Sequence, residues 1–288
     1  MTAVYGILGW PVDHTRAPAM YEAAFRAVGI AAHYVRFPVP PSRLRDAVRG
    51  LSALGVRGAS VTLPHKHTIV PLIDDMEADA RAIGAVDTLV CEGDRIVGAN
   101  TDAPALVQAL REAGVDPKER ETVVVGAGGA ARAAVMGLAR AGAARIMVAA
   151  RREDEAVTLV GDLARAVGRT KLSASDLGPE LEAAFKTATL LVQATSATQG
   201  DGPEATRFAA SLPLEALAKG AVVAELVYQP AETAVLRAAR GLGLKTVDGL
   251  GTLLYQGALA FERWTEREAP LSAMREALYA ARPTDPPE

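Results

Sequence analysis

The sequence predicts an α/β protein of two domains, one built on a doubly wound parallel sheet and the other a discontinuous α/β layer completed from both ends of the chain. Three observations lead there. Short β-branched runs alternate with Ala- and Leu-rich helical stretches over most of the 288 residues. A glycine cluster, Gly126-Ala127-Gly128-Gly129-Ala130-Ala131, sits between one such strand and one such helix. After Gly249 the strand rhythm stops and two amphipathic helical patterns, Thr252 to Trp264 and Leu271 to Ala281, close the chain.

In order, Val4 to Gly9 reads as a strand, Ala19 to Val28 as a helix and His33 to Val39 as a strand. Ser42 to Leu54 repeats apolar Leu44, Val48 and Leu51 three or four apart, the period of a helix with one buried face. Ala59 to Leu63 is the next predicted strand, stopped by Pro64. Asp79 to Ile83 is a short helix, and Ala85 to Val90 with Arg95 to Gly98 reads as a hairpin turning at Glu92-Gly93-Asp94. Asn100-Thr101-Asp102 opens a helix through Glu112, with the Asp102 carboxylate at the N-terminus, where negative charge is favoured.

Thr122 to Val125 then has the short, β-branched character of a buried parallel strand, and Arg132 to Arg140 is helix-forming. Strand, glycine turn and helix arrive in the order a dinucleotide phosphate loop requires. Gly126 permits the tight turn, Gly128 lets backbone approach a pyrophosphate, and Ala131 keeps the helix close to the strand. Arg145 to Ala150 supplies the next strand and ends at Arg151-Arg152-Glu153-Asp154, where a Rossmann unit reads the adenine ribose. Further strands are predicted at Leu190 to Ala194, Val222 to Leu226 and Lys245 to Val247. The expected division is 1–103 with 250–288 as a substrate-binding domain around an NAD(P)-binding Rossmann domain at 104–249, with the site in the cleft between them.

Net charge is −3, with no basic stretch, which disfavours nucleic acid and favours a small-molecule partner. The lone cysteine, Cys91, fits a reducing cytoplasm, and no apolar stretch reaches a membrane span. The Pro-rich end, Pro283 to Glu288, is expected to fray. Monomer and homodimer both stay open.

Over nearly its full length the chain resembles the shikimate dehydrogenase family, including its quinate/shikimate branch. The resemblance rests on Gly58-Ala59-Ser60-Val61-Thr62-Leu63-Pro64-His65-Lys66, Gly84-Ala85-Val86-Asp87-Thr88, Asn100-Thr101-Asp102, the glycine loop, Ala194-Thr195-Ser196, Val227-Tyr228-Gln229-Pro230 with Thr233, and Asp248-Gly249-Leu250-Gly251-Thr252-Leu253-Leu254-Tyr255-Gln256. It implies a two-domain oxidoreductase of aromatic amino acid biosynthesis that interconverts 3-dehydroshikimate and shikimate, or a close cyclic hydroxy acid. Lys66 and Asp102 are then the catalytic pair, moving the proton that accompanies hydride transfer. Thr15, Arg16, Ser60, Thr62, Asp87, Asn100, Tyr228 and Gln256 face the substrate. Gly126, Ala127, Gly128, Gly129 and Ala130 hold the pyrophosphate, Arg151, Arg152 and Glu153 the adenosine ribose, and Thr195, Ser196 and the Gly251 backbone complete the cofactor site.

Three substrate-facing positions depart from the family pattern. The usual His-Ser-x-Ser-Pro is His14-Thr15-Arg16-Ala17-Pro18 here, in which Thr15 keeps a hydroxyl and Ala17 loses one, and Ser60 and Asp87 replace asparagines. Losing a hydroxyl bonded to a carboxylate costs about 1.5 to 3 kcal/mol. The expectation is retained hydride chemistry on a preferred substrate other than shikimate itself, with quinate or an amino- or otherwise substituted shikimate as alternatives. Arg16 either turns inward as a carboxylate clamp or faces solvent, and Asp87 is expected to add negative charge beside Lys66. Arg151 and Arg152 predict NADP, while Glu153 keeps NAD open. A rival of another class is a non-catalytic NAD(P)-binding sensor, which has no need of Lys66 and Asp102.

No metal site is expected, since His65 and His67 diverge and no carboxylate completes a set. His14 is expected to shape its loop, His33 to be structural, Cys91 to be a buried inert thiol and Trp10 to pack.

Overall fold

The alternation of strand and helix resolves into two sheets, each within its own compact unit, in a computed structural model that describes residues 2–281. The Pro-rich end, Pro283 to Glu288, lies outside them. The first unit runs to Thr101 and resumes at Leu253. It begins β1 (Ala3–Gly9), α1 (Ala17–Ala27), β2 (Ala32–Pro38), α2 (Leu44–Ala53), β3 (Val56–Val61) and α3 (His65–Thr68). β4 (Asp75–Met76), α4 (Ala78–Ile83), β5 (Thr88–Glu92) and β6 (Arg95–Ala99) follow.

The sheet order is β2-β1-β3-β5-β6-β4, with β1 parallel to β2 and β3, and β5 antiparallel to β3 and β6. Leu44, Val48 and Leu51 line the buried face of α2, as their spacing requires, and join Leu8, Val61, Leu89 and Ile96 in the core. Two boundaries differ from expectation. β3 ends at Val61, three residues before Pro64, and β5 begins at Thr88 because Val86 and Asp87 direct their N–H groups to Lys66 and Ala99.

The second unit comprises Asp102–Thr252. It contains α5 (Asp102–Glu112), β7 (Glu121–Val125), α6 (Gly129–Arg140), β8 (Arg145–Ala149), α7 (Glu153–Leu163) and β9 (Lys171–Ser175). α8 (Pro179–Phe185), β10 (Leu190–Gln193), α9 (Pro203–Ser211), β11 (Val222–Glu225), α10 (Ala234–Gly241) and β12 (Lys245–Val247) complete it. All its strands are parallel, in the order β12-β11-β10-β7-β8-β9. That is the doubly wound arrangement, whose winding reverses between β7 and β10. Every residue of β10 and β11 is buried, as strands covered on both faces must be. The sequence reading passed over β9, whose Lys-Leu-Ser-Ala-Ser composition suits a half-exposed edge, and over α8 and α9, although each starts with a Gly-Pro signal.

Two helices end the described chain, α11 (Gly249–Thr265) and α12 (Leu271–Ala280). From Leu253 they belong to the first unit. Gly257 lets α11 meet α1, since a Cβ there would stand 2.2 Å from Met20 Cε. Trp264 lies over β3, where Gly58 leaves it room, and its Nε1 donates to Leu89 O at 2.8 Å. Trp10 is the opposite case. Packing was expected ahead of a place lining the substrate pocket, but the residue is 47% exposed. Among the described residues no helix is long and apolar enough to cross a membrane.

Candidate active site

In the first unit the ends of β1 and β3 are laced together at the backbone. Thr62 N donates to Leu8 O and Trp10 N to Leu63 O, both at 2.9 Å. Gly9 permits this approach, because a Cβ there would fall 2.3 Å from Thr62 Cγ2. The chain then turns into α3, which carries Lys66. His65, fully buried, donates from Nε2 to Val39 O at 2.7 Å, and His67 donates from Nδ1 to Gly84 O at 2.8 Å. The two imidazoles point to opposite sides of the helical turn and hold it between β2's exit and the end of α4. Both are positioning groups that sequence reasoning weighed only as metal ligands. Among the described residues no group of three His, Cys, Asp or Glu side chains is placed to hold a metal.

The segment after α4 ties the candidate residues together. Val86 N donates to Lys66 O at 2.7 Å, and Asn100 Nδ2 donates to Ala85 O at 3.1 Å. Asp87, 1% exposed, accepts from Thr101 N on both oxygens at 2.9 and 2.8 Å, from Thr101 Oγ1 at 2.9 Å and from Thr88 Oγ1 at 2.7 Å. Both the Lys66 turn and the Asn100-Thr101 segment are therefore anchored on residues 85–87. The Asp87 carboxylate, expected to bear on Lys66 or on a substrate, takes up three donors of Thr88 and Thr101. Asp102 follows directly as the first residue of α5 and is 8% exposed.

Thr15 and Ser60 are buried and engaged by the chain's own groups. Thr15 Oγ1 accepts from Ala17 N at 3.2 Å at the start of α1, and Arg36 donates to Thr15 O at 3.0 Å. Ser60 Oγ accepts from Tyr34 Oη at 2.8 Å, and Tyr34 stacks on Tyr21 with centroids 4.2 Å apart. Burial and the Asp87 charge push the Tyr21 hydroxyl's pKa up, so it stays neutral. Arg16 is half-buried and its Nε is buried without a partner, which favours the inward of its two expected orientations. Thr62, Lys66 and Gln256 are half-buried. His33 is an exposed partner of Glu22 at 3.3 Å, and burial pushes the Cys91 thiol up to about 11, consistent with inertness.

In the second unit the glycine turn lies where the winding reverses. Gly126 has φ 123°, and a Cβ there would meet Thr195 Cγ2 at 3.0 Å and Ala194 O at 3.1 Å. Only glycine satisfies both the backbone and the space. Gly128 caps α6, and a Cβ there would meet nothing within 4 Å, so the surface above it is open. A groove of about 1470 Å³ runs from Gly126 and Ala127 past Arg151 and Arg152 to Thr195 and Ser196. Its glycine turn, its helix N-terminus and its basic end fit a phosphorylated dinucleotide. Glu155 and Glu204 line it and Glu153 does not, so the acid that faces the groove from α7 stands two residues beyond the expected one. Gly129 and Ala130 open α6, and Gly251, early in α11, sits 3.2 Å from Ala109 Cβ by the position its own Cβ would take.

Glu225, 1% exposed, ends β11. It accepts from Gln193 Nε2, Thr198 Oγ1, Thr233 Oγ1 and Val227 N at 2.9 to 3.0 Å. Burial outweighs these donors and raises its pKa to about 7. Sequence reasoning missed it, although an acid ending an all-apolar strand was the available signal. Tyr228 is half-buried just beyond.

Comparison with known proteins decides the family. Residues 7–89 match the shikimate dehydrogenase substrate binding domain, and residues 249–279 match the shikimate 5'-dehydrogenase C-terminal domain. A shikimate dehydrogenase (NADP(+)) of Symbiobacterium thermophilum is 44% identical over 96% of this chain and 94% of its own. The chain belongs to the shikimate dehydrogenase family. Among solved relatives of that family, the Thermus thermophilus shikimate 5-dehydrogenase in complex with NADP(H) and shikimate is similar at a TM-score of 0.83, with 33% identity over 96% of this chain and 99% of that one. The quinate dehydrogenase of Corynebacterium glutamicum in complex with NAD is similar at 0.86, with 30% identity over 97% and 99%. Shikimate dehydrogenase family membership accounts for the pairing of a split α/β unit with a Rossmann-type unit in one chain.

Proposed function

We propose that the chain is an NADP-dependent oxidoreductase of the cytoplasm that interconverts 3-dehydroshikimate and shikimate, or a close cyclic hydroxy acid. The observation that carries the reading is the anchoring of the Lys66 turn and the Asn100-Thr101 segment on the same three residues, 85–87. A lysine on a free surface loop needs no such scaffold.

Bound nicotinamide supplies or accepts the hydride at the ring carbon. The chain's own task is the proton. Lys66 Nζ donates it to the oxygen of the carbonyl being reduced and takes it back on oxidation, with Asp102 favouring the charged ammonium between turnovers. Asn100 and Gln256 hold ring hydroxyls, Ser60 and Thr62 border the ring, and Thr15 with Arg16 receive the carboxylate. Tyr228 lines the nicotinamide side. Gly126 to Ala130 hold the pyrophosphate, and Thr195, Ser196 and the Gly251 backbone border the cofactor. In the assignment of the adenosine ribose, Arg151 supplies charge for a 2'-phosphate. The divisions at 103 and 250 expected from sequence remain part of this reading, as substrate and cofactor domains.

Ala17 removes one carboxylate-binding hydroxyl, which favours quinate or a substituted shikimate as the second reading. A panel of cyclic hydroxy acids, each with NADP and NAD, tests both. Turnover of shikimate with NADP well above every other pair sustains the first reading, and a better quinate or substituted acid replaces it. Lys66→Ala that keeps full turnover would overturn the proton assignment.

A further inference from the structure

The groove of the second unit is asymmetric in charge. Among the described residues it is lined by three arginines, Arg151, Arg152 and Arg207, and two glutamates, Glu155 and Glu204. Arg151 and Arg152 lie at the end of β8, the expected place. Arg207 comes from α9, 55 residues beyond Arg152 in a part of the chain that no motif marks.

Its position is set by helical period. Pro203, Glu204, Arg207 and Phe208 all line the groove, and they are the i, i+1, i+4 and i+5 positions that share one face of α9. Ala205, which also borders the groove, and Ala209 are the buried positions of the helix. The helix start is fixed by Gly202-Pro203, so the register of Arg207 is fixed with it.

The three arginines are not equivalent. Arg152 is ion-paired to Glu155, three residues on in the first turn of α7. Among the described residues Arg151 and Arg207 make no ion pair. A ribose 2'-phosphate brings close to two negative charges, so a site that prefers it needs net positive charge. With Arg207 the lining has a surplus of one cation. Without it, arginines and glutamates cancel, and the groove has no electrostatic reason to prefer a phosphate to a hydroxyl.

We infer that Arg207 is a specificity-determining residue for the cofactor, recognising the 2'-phosphate of NADP together with Arg151, which lines the same groove. The inference rests on the NADP reading above and assigns its discrimination to α9, with Arg152 held by Glu155 in a lesser role.

The test is calorimetric titration of the full chain and its Arg207→Ala, Arg207→Lys and Arg152→Ala variants with 2',5'-ADP and with 5'-AMP, ligands that differ only in the 2'-phosphate. In the wild type 2',5'-ADP should bind more tightly than 5'-AMP. Arg207→Ala should weaken 2',5'-ADP about tenfold and leave 5'-AMP unchanged. Arg207→Lys should recover part of the loss, and Arg152→Ala should cost less than Arg207→Ala. Steady-state kinetics should follow, with KM for NADP raised, KM for NAD unchanged and kcat at saturating NADP unchanged. A wild-type preference for 2',5'-ADP that survives in Arg207→Ala overturns the role of Arg207 and leaves the NADP reading standing. Equal weakening of both ligands overturns it as well, showing a role in the shape of the groove. No wild-type preference overturns both.

Discussion

The two units build their candidate sites by different means. The phosphate turn in the groove of the second unit is main chain: a glycine at φ 123° and a helix N-terminus directly after the buried end of β7. The site of the first unit is side chains held by groups distant in sequence, with Asp87 on Thr101, Tyr34 on Ser60 and His65 on the backbone of Val39. A backbone site tolerates little change at few positions. A side-chain site spreads its dependence over many partners distant in sequence, so individual members drift while the scaffold persists.

That contrast can be broken most directly at Lys66. Lys66→Ala should lower kcat about 10³-fold while NADP binding by the groove stays intact, measured by single-turnover kinetics and titration. Loss of both together would mean the two sites are not separable in this way. Next in size are two scaffold tests. Asp87→Ala strands the Thr101 N–H and should destabilise the chain by about 3 kcal/mol in denaturant melts. Gly126→Ala forces an alanine into positive φ against Ala194 O and should weaken NADP binding by about 2 kcal/mol, roughly thirtyfold, with shikimate-dependent steps little altered once the cofactor saturates.

Glu225 sharpens the comparison through pH. Its carboxyl has a folded pKa near 7 against 4.5 unfolded, so the folded state holds the proton longer. Below about pH 4.5 burial of the neutral acid carries no ionisation penalty. Between there and about pH 7 the unfolded chain ionises first and stability falls, by about 3 kcal/mol once both states are charged. Glu225→Gln should remove that slope from pH-dependent melts, and an unchanged slope would show that other groups set it. The smallest effect is expected at Ala17→Ser, where a restored hydroxyl should lower the KM for shikimate by about tenfold. An unchanged KM would show that Arg16 has already replaced the hydroxyl's function.

The same contrast explains what could be read from residues alone. The Rossmann-type unit was legible because strand, Gly126 turn and helix are contiguous, and Gly126 answers to a local constraint. The Lys66 segment was legible through its family resemblance, but the reason for its rigidity was not. Val39, Gly84 and Val86 become its partners only after folding. The donors around Asp87 were illegible for the same reason: Thr101 closes on its carboxylate only after folding. β9 escaped because its polar, half-exposed edge lacks the apolar alternation that marks the other strands, and Trp10 because a tryptophan's exposure depends on what lies above it.

The split of the first unit around the second has a consequence in time. During synthesis residues 102–252 are joined before Leu253 to Ala280 exist, so the sequence of the nucleotide half is complete while the other still lacks two helices. Until Trp264 arrives, the gap over Gly58 stays uncovered and Met20 has no Gly257 to meet. The half that carries Lys66 is the last to be finished by translation, and a nascent chain stalled before α11 would expose the apolar surface of α1 to chaperones.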